Sequence, residues 1–336
     1  ASKVAKAESA RKGEPKFHIT EEMRRLSTPW SVSQVRAEQI QAIDLPAGVI
    51  LDAAAGSGVQ LIALTTGLKR PGLAIELDPN IGLLCAANMQ INGDGGDLQR
   101  TMDRVLIGDG TDAENAIVAY WNSLRDAGTR AHPPIGMLHL DPARPRDAQR
   151  HEIDEMEPAL GPLLKAWANH LETGPRGPAI LLDLSPRLNE DQRSLVDAVI
   201  ETTFPGIRRT WEYLSQGGGR IDRLSVWIGS LSSKEPSRCI RMGKKKIMAT
   251  IEGKVAESEL VSMSSPPPFG AHLTIVDPAL VQSGLHEAWL DRALPENAGH
   301  SWLKLEGRRP LLISTDPLIR DDEIDAFVIA SGEIVQ

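Results

Sequence analysis

Val49-Ile50-Leu51-Asp52-Ala53-Ala54-Ala55-Gly56-Ser57-Gly58, followed eighteen residues after Gly58 by Glu76 in Leu73-Ala74-Ile75-Glu76-Leu77-Asp78-Pro79, decides the reading of this chain. An apolar strand runs into a glycine turn, whose missing side chains let backbone N–H groups approach a ligand. Residues 61–68 then supply a helix whose N-terminus faces that ligand. A second apolar strand ends in an acid. A carboxylate about twenty residues past the glycines is where an α/β sheet offers acceptor oxygens to the two hydroxyls of a ribose. The stretch reads as a nucleoside-cofactor site; the alternative is a plain α/β turn in which Asp52 is an ordinary strand-end residue.

The dinucleotide fingerprint G-x-G-x-x-G needs a third glycine beneath a pyrophosphate, and this chain has Leu61 there. Instead an extra acid, Asp52, stands four residues before Gly56, which suits a ligand carrying an ammonium group. That pattern resembles the class I S-adenosylmethionine-dependent methyltransferases. The resemblance implies S-adenosyl-L-methionine as cofactor, with Asp52, Ala54, Gly56 and Gly58 around its methionine part and Glu76 with Leu77 at its ribose.

Working outward, strands are expected at 49–53, 72–76, 104–108, 135–140 and 179–184. Helices are expected near 59–67, 79–91, 111–125, 155–172 and 189–202 between them. Such alternation predicts a doubly wound, mostly parallel α/β sheet. Arg209 to Leu214 and Leu224 to Leu231 flank Gln216-Gly217-Gly218-Gly219-Arg220 and read as an antiparallel hairpin closing a Rossmann-like seven-stranded sheet. Upstream, residues 1–27 read as a basic helix, and Thr28-Pro29-Trp30 as the cap and first turn of a second helix reaching Ile43. Beyond Lys234-Glu235-Pro236, strand-like runs at 247–251 and 272–276, helical spacing over 278–294 and a short strand at 310–314 describe a smaller α+β unit. The expected domains are therefore 1–46, 47–233 and 234–336.

At 336 residues two domains are the natural expectation. No apolar run is long enough to span a bilayer, the polar N-terminus lacks a secretory core, and two cysteines cannot form a disulfide framework. A cytoplasmic setting without membrane insertion is the expectation. The chain begins at Ala1 rather than Met, which reads as a processed or partial chain. A net charge of −8 argues against a generally basic nucleic-acid surface. Two local basic patches stand out, one within residues 1–36 and one formed by Arg238, Arg241 and Lys244-Lys245-Lys246.

The remaining chemistry sits at later strand ends. Asp109, in Ile107-Gly108-Asp109-Gly110-Thr111-Asp112, reads either as a helix-capping acid or, in the methyltransferase reading and with Gly110 beside it, as acceptor for an adenine amino group. The fourth strand ends His139-Leu140-Asp141-Pro142-Ala143-Arg144-Pro145. In amino-methyltransferases an Asp/Asn-Pro-Pro-aromatic sequence here grips an exocyclic NH₂. Asp141 and Pro142 match, whereas Ala143 supplies no ring and Arg144 supplies a guanidinium that can stack or clamp a phosphate. The alternative for Asp-Pro is a simple turn. A pyrimidine C5 mechanism needs a cysteine at the fifth strand end, where this chain has Leu184-Ser185-Pro186. The histidines show no metal-ligand spacing, and His139 reads as a satisfied core residue.

Thr28-Pro29-Trp30-Ser31-Val32 with Arg36-Ala37, the Asp52 to Gly58 turn, Glu76-Leu77-Asp78-Pro79, Asp141-Pro142-Ala143-Arg144 and Leu184-Ser185-Pro186 occur in the order seen in one family. They resemble the methyltransferases with a THUMP-like C-terminal region, related in their catalytic domain to trimethylguanosine synthases. Residues 276–285 resemble that family's ferredoxin-like segment; Pro145 departs from its usual second Arg. The resemblance implies an RNA substrate with a guanine amino group as a candidate acceptor and Asp141, Pro142 and Arg144 as catalytic residues. Thr28 and Trp30 are candidates to cover the cofactor, with a helix cap as the alternative for Thr28. Methylation of a protein or small molecule, or a non-catalytic RNA-binding role that keeps the fold, are the alternative functions.

Overall fold

The computed structural model describes residues 14–21, 23, 27–93, 101–142, 155–256, 266–303 and 310–335. The chain divides into two compact units, residues 1–208 with 227–231 and residues 209–226 with 232–336. It is a mixed α/β protein dominated by a large, mainly parallel sheet.

In the first unit strands and helices alternate: β1 (Val49–Asp52), β2 (Gly72–Glu76), β3 (Arg104–Ile107), β4 (Ile135–Leu140), the short β5 (Thr173–Gly174) and β6 (Gly177–Leu184). The helices are α1 (Trp30–Gln41), α2 (Val59–Leu68), α3 (Pro79–Asn92), α4 (Ala113–Asp126), α5 (Leu160–Trp167) and α6 (Glu190–Thr203). The strand order is β6-β4-β1-β2-β3, and every neighbouring pair in it is parallel. β1 and β4 are buried along their whole length, as expected of parallel strands covered on both faces, which therefore read as continuous apolar runs. Because β1 is flanked by β2 on one side and β4 on the other, the topology switches at β1, and the crevice outside its carboxyl end is where such sheets bind ligands. Register sets Asp52 level with His139 across β1 and β4, and Glu76 level with Ile107 across β2 and β3.

The N-terminal segment differs from the expected basic helix. Residues 1–13 lie outside the described residues, and 14–19 are not helical. Asn88 on α3 explains the extended path: its side chain accepts from the His18 backbone N–H at 2.6 Å and donates to the His18 carbonyl at 2.9 Å. Helix α1 also starts without a threonine cap, since its N-cap is Pro29 with no side-chain hydrogen bond.

In the second unit β7 (Arg209–Ser215) runs parallel to β9 (Ser237–Met242), and β9 pairs antiparallel with β10 (Ile247–Gly253). β7 also neighbours β8 (Arg223–Gly229), which begins in this unit. Strand β9 falls in the stretch read as a basic patch, because two of its residues are arginines satisfied internally. Arg238 bonds Glu212 at 2.8 Å and Glu252 at 3.3 Å, and Arg241 lies 3.8 Å from Asp277. A separate antiparallel sheet has the order β12 (His300–Leu303), β13 (Leu311–Ser314), β11 (His272–Val276), β14 (Val328–Glu333). The helical spacing over 278–294 resolves into α7 (Pro278–Gln282) and α8 (His286–Ala293), broken at Ser283-Gly284. A further short helix, α9, spans Asp322–Ala326. Among the described residues no helix is long and apolar enough to cross a membrane.

Candidate functional site

The glycine turn is shaped by backbone geometry. Gly56 and Gly58 have φ of +53° and +77°, a region L side chains avoid. At Gly58 a Cβ would also lie 2.8 Å from Cys85 Sγ. The turn is fastened to β2 at two points: Ala55 N–H donates to the Ile75 carbonyl at 3.0 Å, and Gly56 N–H donates to Glu76 Oε2 at 2.9 Å. Glu76 Oε1 accepts from Asp78 N–H at 3.0 Å. Each carboxylate oxygen has two acceptor sites, so this bracing leaves further lone pairs for a ligand hydroxyl.

Around Glu76 the strand ends leave apolar side chains in water. Leu77 is 72% exposed and Ile107 is 52% exposed. Asp109 lies just beyond Ile107; its Oδ1 accepts from the backbone and hydroxyl of Thr111, both at 2.8 Å, while Asp112 caps α4. Gly110 is pressed against β1, where a Cβ would fall 2.0 Å from the Ala53 carbonyl, and its own carbonyl accepts from Trp167 Nε1 at 2.7 Å. Two exposed apolar side chains flanking carboxylates, beside a glycine turn, fit a purine nucleoside better than a small polar ligand.

Behind the turn lies a buried ionic network that the sequence did not disclose. Asp52, at the end of β1, has Oδ2 2.9 Å from His139 Nδ1, and His139 Nε2 is 3.2 Å from Asp183 Oδ2. Arg36 of α1, with no exposed surface, donates to Asp183 Oδ2 at 2.5 Å and to Gln60 Oε1 at 2.8 Å. Two cations thus face two carboxylates away from water. Burial pushes the His139 imidazole toward neutrality, but Asp52 and Asp183 outweigh it and raise its pKa to about 10. Burial likewise disfavours the Asp183 anion, yet Arg36 and His139 hold its carboxyl well below the usual carboxylate range. Asp52 is only 2% exposed, so its charge is already balanced from within.

Thr28 serves this network rather than a helix cap. Its hydroxyl donates to Asp141 Oδ2 at 3.4 Å and accepts from Gln60 Nε2 at 3.1 Å. Asp141 follows β4 directly, with Pro142 buried behind it. Ala143 and Arg144 lie outside the described residues. The structure therefore draws Thr28, Asp52 and Asp141 into one network and places Gly56, Gly58 and Glu76 together in the neighbouring turn; Arg36, Gln60 and Asp183 are additions that sequence reasoning missed. Asp183 carried one usable signal, a lone acid inside Ile180-Leu181-Leu182-Asp183-Leu184.

Both cysteines are buried, and desolvation pushes their thiols far up, so neither supplies a thiolate nucleophile. Among the described residues no group of three or more His, Cys, Asp or Glu could hold a metal ion.

No protein-family model and no curated protein matches the chain. Among solved structures, the chain is similar to a protein from Porphyromonas gingivalis W83 assigned as a methyltransferase, with 16% identity and a TM-score of 0.53. That match covers 84% of this chain and 61% of the other, so this chain spans about three fifths of that protein's length. Weaker likenesses, each with a TM-score of 0.37, are to an O-methyltransferase from Bacillus cereus in complex with SAH and to human methyltransferase-like protein 13 in complex with SAH. The first has 16% identity and covers 62% of this chain and 86% of the other; the second has 17% identity and covers 64% and 84%. At these identities the likeness concerns the fold, which this chain shares with the Porphyromonas protein.

Proposed function

We propose that this chain is an S-adenosyl-L-methionine-dependent methyltransferase acting on an exocyclic amine of an RNA base, with a guanine amino group as the leading candidate. The observation that carries the reading is the convergence, at the carboxyl ends of the neighbouring strands β1, β2 and β4, of a left-handed glycine turn, the carboxylate that braces it and Asp141. The fold reading extends to a seven-stranded sheet closed by β7 and β8, with 1–46 as an entry segment, 47–233 as the catalytic domain and 234–336 as a smaller ferredoxin-like domain.

The bound cofactor would supply a methyl group on a sulfonium, open to in-line attack by a nitrogen. The chain's own residues then bind and orient. Gly56, Gly58 and Ala54 present backbone to the methionine part, and Glu76 accepts from the ribose hydroxyls. Leu77 with Ile107 forms the apolar walls, while Asp109 and Gly110 lie at the adenine edge and Thr28 covers the site. Asp52, paired with His139, fixes from below the turn that holds the methionine part, accepting the Ala54 N–H at 3.3 Å. Asp141 accepts hydrogen bonds from the attacking amine, aligns its lone pair with the methyl and takes the proton the nitrogen loses. Pro142 and Arg144 complete the acceptor side.

Calorimetric titration with S-adenosylhomocysteine tests the cofactor. The folded wild type binds, and Glu76→Ala weakens binding by about 2 kcal/mol, roughly thirtyfold, for the charge-assisted hydrogen bonds lost. A folded protein that shows no heat of binding sinks the reading. Incubation with labelled cofactor and either total RNA or total protein tests the acceptor, and label confined to protein refutes RNA.

One structural observation favours RNA. Lys244-Lys245-Lys246 are exposed on the turn joining β9 to β10, closed by Gly243 N–H donating to the Lys246 carbonyl at 2.8 Å. Unlike Arg238 and Arg241 beside them, they have no ion pair among the described residues. Replacing all three with alanine is expected to weaken binding of single-stranded RNA in anisotropy titrations. The slope of log affinity against log salt should fall by about 2, three phosphate contacts at roughly 0.7 each. An unchanged slope removes these lysines from the RNA surface.

A further inference from the structure

Gln60 is the second residue of α2 and 7% exposed. Its amide orientation is dictated by its surroundings. Oε1 faces Arg36, whose guanidinium only donates, so Nε2 must face the oxygens on the other side. Those oxygens are Asp183 Oδ2 at 2.8 Å, Thr28 Oγ1 at 3.1 Å and Asp141 Oδ2 at 3.2 Å. Thr28 Oγ1 donates its hydrogen to the same Asp141 oxygen. One amide group thus joins a cation of α1, an acid at the end of β6, the residue before Pro29 and the acid after β4. Helix α2 is also the helix whose N-cap is Gly58, the last glycine of the turn.

We propose that Gln60 is a positioning residue that sets the direction of the Asp141 carboxylate relative to the methyl-bearing end of the cofactor. The proposal rests on the reading of Asp141 as the acceptor-orienting acid. A carboxylate on a strand-end residue can turn about χ1 and χ2, and a hydrogen bond from a locked amide to a named oxygen removes that freedom. The locking is indirect but stiff, because Gln60 is itself fixed by Arg36 and Asp183, both buried. Since Gln60 starts the helix that follows the glycine turn, a shift of that turn would be transmitted to Asp141 through a single side chain. Misplacing a reacting group by about 1 Å costs on the order of a hundredfold in rate.

A purely structural role makes a different prediction. If Gln60 only satisfied Arg36 and Asp183, its loss would lower stability and its effect on rate would multiply with that of Asp141→Asn. The test is a double-mutant cycle on Gln60→Met and Asp141→Asn, reading methyl transfer from labelled S-adenosylmethionine to total RNA or total protein, whichever fraction the wild type labels. S-adenosylhomocysteine affinity is measured on every variant. Gln60→Met is expected to lower kcat about 30- to 100-fold while S-adenosylhomocysteine affinity stays within about threefold. The double variant is expected to be no slower than Asp141→Asn alone, because residues that act through one another are non-additive. Losses that multiply, or a Gln60→Met rate equal to the wild type, overturn the proposal. Should Gln60→Met fail to bind S-adenosylhomocysteine, Thr28→Val takes its place; it removes a second donor to the same Asp141 oxygen and must show the same non-additivity. A wild type that binds S-adenosylhomocysteine but labels neither fraction refutes the proposed function, and the role of Gln60 with it. An active wild type with multiplicative losses refutes Gln60 alone.

Discussion

Replacing Asp183 with leucine lowers the unfolding free energy by about 3–5 kcal/mol, the usual cost of stranding a buried charge. Denaturant titration at neutral pH reads this as a fall in midpoint, and thermal melting as a drop of roughly 10 °C. The Asp183 side chain is 3% exposed and receives Arg36, Gln60 and His139. Its loss leaves two buried cations facing Asp52 as the remaining anion of the set. Removing both members of the closest pair, in Arg36→Met with Asp183→Leu, should cost less than Asp183→Leu alone, because an apolar pair of similar volume has no desolvation penalty to offset. A double variant that loses the sum of the two single losses would mean that the pair is not acting as a unit.

Stability is expected to fall as pH rises from about 7 to 10. An unfolded histidine titrates near 6.5, whereas His139 in the folded chain titrates at about 10. A folded pKa above the unfolded one stabilises fully below about 6.5. That contribution is lost through the window up to about 10, as the unfolded state releases a proton that the folded state retains. At 1.36 kcal/mol per pH unit the loss is on the order of 3–5 kcal/mol across the window. Asp183 works in the opposite sense: its lowered folded pKa stabilises above the ordinary carboxylate range, and this is lost on acidification. In His139→Gln the alkaline decline should flatten, while the acid limb persists. Midpoints that decline in parallel for wild type and variant between pH 7 and 10 would show that another group sets the slope.

The parallel strands were legible because strands covered on both faces are apolar throughout, so β1, β2 and β4 read directly as Val-Ile-Leu, Leu-Ala-Ile and Met-Leu-His-Leu runs. The glycine turn and Glu76 were legible for a related reason, since a tight turn and a strand-end acid are fixed by local spacing. Strand β9 was hidden because Arg238 and Arg241 look like surface charge until Glu212, Glu252 and Asp277 are brought to them by other strands. The segment at 14–19 was hidden because its partner, Asn88, lies 70 residues away from His18. The 278–294 periodicity was real, but Gly284 lets the chain turn between two short helices.

The sequence by itself determined the α/β alternation, the glycine turn, the strand-end acid at 76 and the Asp-Pro at the fourth strand end. Each is dictated by backbone sterics or by hydrophobic period within a few residues. Only the tertiary structure decided that Asp52 is neutralised by His139, that Thr28 binds Asp141 instead of capping a helix, and that Gln60 stands between them. Those partners are separated by 87, 113 and 81 residues. The physical reason is the same in each case: a buried polar group must find its counterpart somewhere in the fold, and nothing in the local chain specifies where.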